Sequence, residues 1–155
     1  MSSKAQLFPA LTRAVRLFIA GSSLFSQRVA EKLGLHPTDM QFLNLLDLLG
    51  PMTPGTLGQL SGLSSGGVTV VLDRLEHSGY IRRSSHPSDR RSVLVGIVPA
   101  RKKKVNANYD LVQKQFESVL ASFSDEELAT LQRFFSTANE MRPRALQGRT
   151  NKAET

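Results

Sequence analysis

At 155 residues the chain has room for one domain with a real core, and 40% hydrophobic with 21% charged residues is the balance of an ordinary soluble globular protein. It holds no cysteine, which excludes disulfides, a thiol redox switch and a cysteine-type zinc site, and its three histidines, His36, His77 and His86, are too widely spaced to suggest any other metal site. The net charge is +7, and its distribution says more than its size.

Residues 1–73 carry five bases and four acids, and residues 105–155 carry six bases and seven acids. The segment between them, 74–104, holds nine bases (Arg74, Arg82, Arg83, Arg90, Arg91, Arg101, Lys102, Lys103, Lys104) against two acids, Glu76 and Asp89. That segment accounts for the whole imbalance. A solvated face usually mixes the signs, so a concentrated basic patch points to a polyanion, either nucleic acid or an anionic surface. The N-terminus "MSSKAQLFPA" lacks the apolar core of a signal peptide. No apolar run approaches the roughly 18 residues of a membrane span. The expectation is a cytoplasmic protein with no membrane partner.

In chain order, residues 5–32 read as a helix, with Leu7, Leu11, Val15, Phe18, Ser22, Phe25 and Val29 at steps of three and four, and Gly34 as its stop. "HPTDMQFLNLLDLLG" offers Thr38 and Gln41 as a capping box, with Gly50 ending the helix. Thr53 caps a short helix with Pro54 in its first turn, ending at Gly62. Ser64 caps another that runs to about Ser78, where Gly79 supplies the stop. "YIRRSS" and "SVLVGIV" form a hairpin around "HPSDRRS". Pro99 opens a long helix in which Val105, Tyr109, Val112, Phe116, Val119 and Phe123 make a seam. Ser124 and Glu127 box the start of the last helix, and the tail from about Pro143 is polar and expected to be disordered. The fold class is mainly α with a small β-hairpin wing. A helix-turn-helix and its wing lie between long amphipathic helices.

On a helical wheel Val68, Val71, Leu72 and Leu75 share one arc, the core face of helix 64–78. Gly66, Val70, Asp73 and Arg74 fall on the other side, with Ser65 and Thr69 at the flank. Two glycines at a helix start weaken it by about 1 kcal/mol each relative to alanine, which makes sense if a backbone must approach closely there. A helix N-terminus with free N–H groups favours phosphate, and Ser64 sits at that end. An outward valine suits the methyl of thymine in a major groove, and Arg74 suits a guanine edge or a phosphate.

In the hairpin turn, Pro87 and Asp89 favour the bend. Arg90 and Arg91 at its tip fit a minor groove, where arginine reads width and negative potential. Asp89 can hold a neighbouring guanidinium in place. Arg82 and Arg83, one on each side of their strand, are expected at the flanking phosphate backbone.

The stretch "LEHSGYIRRSSHPSDRRSVLVGIVPA" closely resembles the wing region of MarR-type transcription regulators, with its Leu-x-x-x-Gly-hydrophobic-hydrophobic-Arg-Arg run followed by Pro-x-Asp-Arg-Arg and a strand. The resemblance extends in helix order from about residue 5 to residue 141. "VGIVPA" departs from it, where the family often shows Leu-Thr. The resemblance implies a single MarR-like domain over 1–142, with a winged-helix lobe at about 38–98, dimerisation helices at about 5–32 and 99–141, and a flexible tail at 143–155. It implies a homodimer, with helix 64–78 in the major groove and Asp89, Arg90 and Arg91 forming the minor-groove wing.

The apolar stripes on the first helix and the last two call independently for a second copy. A two-fold dimer sets its reading helices roughly 34 Å apart and calls for a near-palindromic operator. By resemblance, too, a small aromatic ligand releases such regulators from DNA, and Phe18, His36 and Phe42 are its candidate lining here. The expected function is a sequence-specific repressor of this kind, with no cofactor. The alternatives are a ligand-independent or architectural winged-helix DNA-binding protein, and an interaction-only helical module. No nucleophile–base pair, paired carboxylates or phosphate-cradling glycine loop argues for an enzyme.

Overall fold

The computed structural model describes residues 3–85 and 91–147, with side chains through residue 140. In order these form α1 (Lys4–Leu33), α2 (Pro37–Leu49), α3 (Pro54–Ser61), α4 (Ser65–His77), β1 (Ile81–Ser85), β2 (Val93–Ile97), α5 (Pro99–Asn106), α6 (Asp110–Leu120) and α7 (Asp125–Gln147). The chain divides into two compact units, Met1–Asn44 and Leu45–Thr155.

In the first unit, α1 ends where Gly34 turns left-handed at φ 68°, a conformation only glycine adopts without strain. That turn lets the Leu35 N–H donate back to the Ala30 carbonyl at 2.9 Å, a Schellman closure that also buries Leu35. Within α1 only Val29 and Ala30 are buried, while Leu7, Phe8, Leu11, Leu17, Phe18, Ile19 and Leu24 are exposed. By length and composition alone α1 is also long and apolar enough to cross a membrane. Counting uninterrupted apolar residues does not register this, because polar residues break the run.

The start of α2 corrects the expected capping box. The helix begins two residues before the expected first turn, at Pro37, which fills a position that needs no N–H. His36 then takes the capping role: its Nδ1 accepts from the Thr38 N–H at 3.2 Å, and Asp39 Oδ2 accepts from the His36 N–H at 3.1 Å. The same reciprocal logic operates with a histidine and an aspartate in place of Thr38 and Gln41.

The second unit holds the helix-turn-helix and the hairpin. Thr53 Oγ1 accepts from the Thr56 N–H at 3.2 Å to start α3, and Ser64 Oγ accepts from the Gly67 N–H at 3.3 Å to start α4. Leu57, Val68, Leu72 and Leu75 are buried between these elements and their neighbours, and full burial of each such side chain contributes about 1.5–3 kcal/mol. β1 and β2 pair antiparallel, with Arg82 opposite Gly96 and Arg83 opposite Val95. A third short stretch joins them: Met52 and Val95 exchange backbone hydrogen bonds of 3.1 and 2.9 Å.

The long fifth helix of the sequence reading is two helices. After α5 the bonds tighten to three-residue spacing, Asn108 N–H to Val105 and Tyr109 N–H to Asn106, and the chain restarts as α6. The Asn108 side chain also donates to the Lys104 carbonyl at 2.9 Å, a local competition with the helical ladder that asparagine invites. Ser124 and Glu127 form the expected box at the start of α7, at 2.8 and 3.3 Å. That helix continues past Pro143 to Gln147, beyond the position where the sequence reading begins its tail.

Candidate nucleic-acid interface

The core face of α4 is as the wheel requires: Val68, Val71, Leu72 and Leu75 are all buried. Ser64, Ser65, Gly66, Thr69, Val70, Asp73 and Arg74 are exposed. Val70 stands out at 60% exposure, since a valine there contributes little to the core. A Cβ added at Gly66 would meet nothing within 4 Å. The protein itself therefore gives no steric reason for a glycine at that point. The Thr69 hydroxyl donates to the Ser65 carbonyl at 3.0 Å, which leaves the lone pairs of its oxygen to accept.

The two arginines of β1 have different surroundings. Strand alternation puts Arg83 on the same face as buried Ile81 and Arg82 on the other. Arg82 is exposed. Val95, opposite Arg83, donates its N–H to the Met52 carbonyl and its own carbonyl accepts from the Met52 N–H. The Arg83 N–H is therefore left facing the open edge of β1, where Glu76 Oε1 accepts it at 3.2 Å. The Arg83 guanidinium lies 2.7 Å from Asp73 Oδ1 and in direct contact with Glu76 Oε2. The Asp73 hydrogen bond, together with the charge of Glu76, raises the Arg83 pKa against the opposing effect of partial desolvation. This corrects the expectation that Arg83 meets a phosphate: its hydrogen-bonding edge is already occupied by two carboxylates of α4. Period-two alternation from Ile81, with acids three residues apart on the preceding helix, was the signal that could have revealed it.

The rest of the basic segment is also divided. Arg101 lies over the Tyr80 ring, 5.1 Å from its centroid. Lys102 Nζ is 2.6 Å from Asp47 Oδ1, a buried oxygen with no hydrogen-bond partner among the described residues, so the ammonium is what balances it. Lys103 and Lys104 are exposed, as is Arg91. Asp89 and Arg90 lie outside the described residues, with the rest of the turn at 86–90.

Of the three candidate ligand-lining residues, Phe18 is half-exposed on α1 and His36 is exposed at the start of α2. Phe42 is completely buried. Expected from the resemblance to line a ligand cleft, its ring belongs to the core of this chain. The surface hollow on α1 is lined by Phe8, Arg13, Arg16, Leu17 and neighbours, and includes none of the three.

The sequence profile of the MarR family matches residues 35–93, from the start of α2 through the hairpin. The chain is 33% identical over 146 residues to the uncharacterized HTH-type transcriptional regulator YcgE of Bacillus subtilis, covering 94% of this chain and 95% of that one. In structure it is similar to a MarR family protein from Bacillus stearothermophilus, at a TM-score of 0.66 and 21% identity over 90% of this chain and 97% of that one. It is similar also to a mutant MarR from E. coli complexed with operator DNA, at a TM-score of 0.55 and 19% identity over 88% and 99%. The chain thus belongs to the MarR family of transcriptional regulators and carries their winged helix-turn-helix, a DNA-binding fold.

Proposed function

We propose that the protein is a homodimeric repressor that binds a near-palindromic DNA duplex. In this reading α4 enters the major groove with Ser65, Gly66, Thr69, Val70 and Arg74 toward the bases and phosphates, and the wing, with Asp89, Arg90 and Arg91, follows the adjacent minor groove. The observation that carries it is the outward face of α4. That face exposes a valine and an open glycine position beside a hairpin bearing exposed Arg82 and Arg91. A fold that only had to be stable would put a helix-favouring polar residue at both α4 positions. The operator DNA held by the related E. coli protein supports the same assignment.

A second copy accounts for apolar surface that one chain leaves uncovered. On α1 it includes Leu17 and Ile19, on α6 Leu111 and Phe116, and on α7 Phe134 and Phe135. Burying those faces in a dimer also gives α1 a role without a bilayer, in keeping with a cytoplasmic regulator. A small aromatic effector fits this family reading, with Phe18 and His36 as the residues to test. Selection from a random pool of duplexes tests the function: the purified chain should enrich an inverted repeat with half-sites about one helical turn apart. Recovery of no shared sequence would contradict it.

A further inference from the structure

The adjacent arginines of β1 divide two tasks, and the second of them concerns geometry. We infer that Arg83 is a positioning residue, which locks the hairpin against α4 at the angle where helix and wing meet a duplex together. Arg82, on the opposite face of the strand, is left to meet phosphate. The inference rests on the DNA-binding reading and adds to it the part that sets its geometry.

Three observations combine. The Arg83 guanidinium reaches Asp73 and Glu76, one helical turn apart on α4, and a planar fork can hold two carboxylates where a point charge cannot. The backbone N–H of the same residue donates to the other Glu76 oxygen, so side chain and strand edge are fixed by one acid. On its far side the hairpin is held by the paired hydrogen bonds between Met52 and Val95, the residue opposite Arg83. The wing is therefore secured at its root from both edges, and Arg83 supplies the link to the helix. Asp73 is exposed on the same outward side as Val70 and Arg74. An uncompensated acid there would repel phosphate, and the guanidinium offsets that charge as well.

The experiment follows binding of the full chain to a random-sequence duplex of about three helical turns, roughly 30 base pairs, over a range of salt. A thermal melt of each variant accompanies it. Each direct phosphate contact contributes about −0.9 to the slope of log K against log salt. Arg82→Ala is expected to flatten the slope by about that amount. Arg83→Ala and Arg83→Lys are both expected to weaken binding, the former about tenfold, with the slope unchanged, since a lysine cannot bridge both acids. The variant Asp73→Ala/Glu76→Met takes two negative charges off the surface facing DNA, so simple electrostatics predicts tighter binding. The clamp predicts weaker binding. If Arg83→Ala fails to fold, Arg83→Lys and the acid pair still decide the question. Near wild-type binding by Arg83→Lys, a flattened slope, or tighter binding by the acid-pair variant would each overturn the clamp alone. Failure of the wild-type chain to bind any duplex would overturn the DNA reading and the clamp with it.

Discussion

Gly58 on α3 and Val68 on α4 face each other so closely that a Cβ built on Gly58 would lie 3.4 Å from Val68 Cγ2 and 3.5 Å from the Leu63 carbonyl. This contact sets the distance between the two helices of the helix-turn-helix. One methyl just fits and more does not. Gly58→Ala is expected to leave stability within about 1 kcal/mol of the wild type, the added methyl making ordinary contacts. Gly58→Leu is expected to destabilise by about 1–3 kcal/mol through overpacking. Denaturant unfolding of the two variants checks the contrast, and equal stability would show that the helices do not meet at this point.

Gly66 is predicted to behave in the opposite sense. Nothing in the protein approaches a Cβ placed there, so Gly66→Ala should stabilise α4, by up to about 1 kcal/mol. If a nucleic-acid backbone approaches that point, the same variant should bind duplex DNA more weakly. A melting temperature that rises while affinity falls is the expected pair of results. Affinity that rises with stability would mean that the glycine serves no close approach.

Val70→Ala separates recognition from folding. At 60% exposure the side chain adds little to the core, so unfolding should shift by no more than about 0.5 kcal/mol. Discrimination among operator variants should relax at one base pair, on the scale of about 1–3 kcal/mol for a lost base contact. A binding matrix measured before and after the substitution reads this out, and an unchanged matrix would remove Val70 from the reading face.

The Lys102–Asp47 pair offers a stability test with a built-in asymmetry. Lys102→Met leaves the buried Asp47 Oδ1 without its cation and is expected to cost about 1–3 kcal/mol. Adding Asp47→Asn to that variant should recover part of the loss. A double variant as unstable as the sum of the two single ones would mean that the pair is not coupled.

The local signals in the sequence were legible because they act over three or four residues. Ser64 at the start of α4, the Ser124–Glu127 box and the buried arc of Val68, Val71, Leu72 and Leu75 are each set by neighbours along one helix, and the structure has them all. What escaped reading depends on partners far away in the chain or on close local rivals. Met52 pairs with Val95 across more than forty residues, and nothing in the sequence around Met52 announces a strand. Thr38 made a plausible cap, but Pro37 favours the first helical position and shifts the cap to His36. The apolar seam through Val105 and Phe116 is continuous by spacing, while Asn108 draws the backbone out of the ladder between them. At the candidate interface, composition counted Arg83, Arg101 and Lys102 as open positive charge. The fold pairs them with Asp73 and Glu76, with Tyr80 and with Asp47. Summed charge identifies a class of partner, but only geometry says which cations face it.

The most direct test is the affinity of the full chain for its selected duplex and for a random duplex of equal length at one stated salt, repeated as salt is raised. The account predicts a preference of at least about 10³-fold for the selected site. It also predicts affinity that falls steeply with salt, and a flatter slope in Arg90→Ala/Arg91→Ala, because two cations are withdrawn from the duplex. Equal affinity for the two duplexes, or a wing variant that binds as the wild type does, would contradict it.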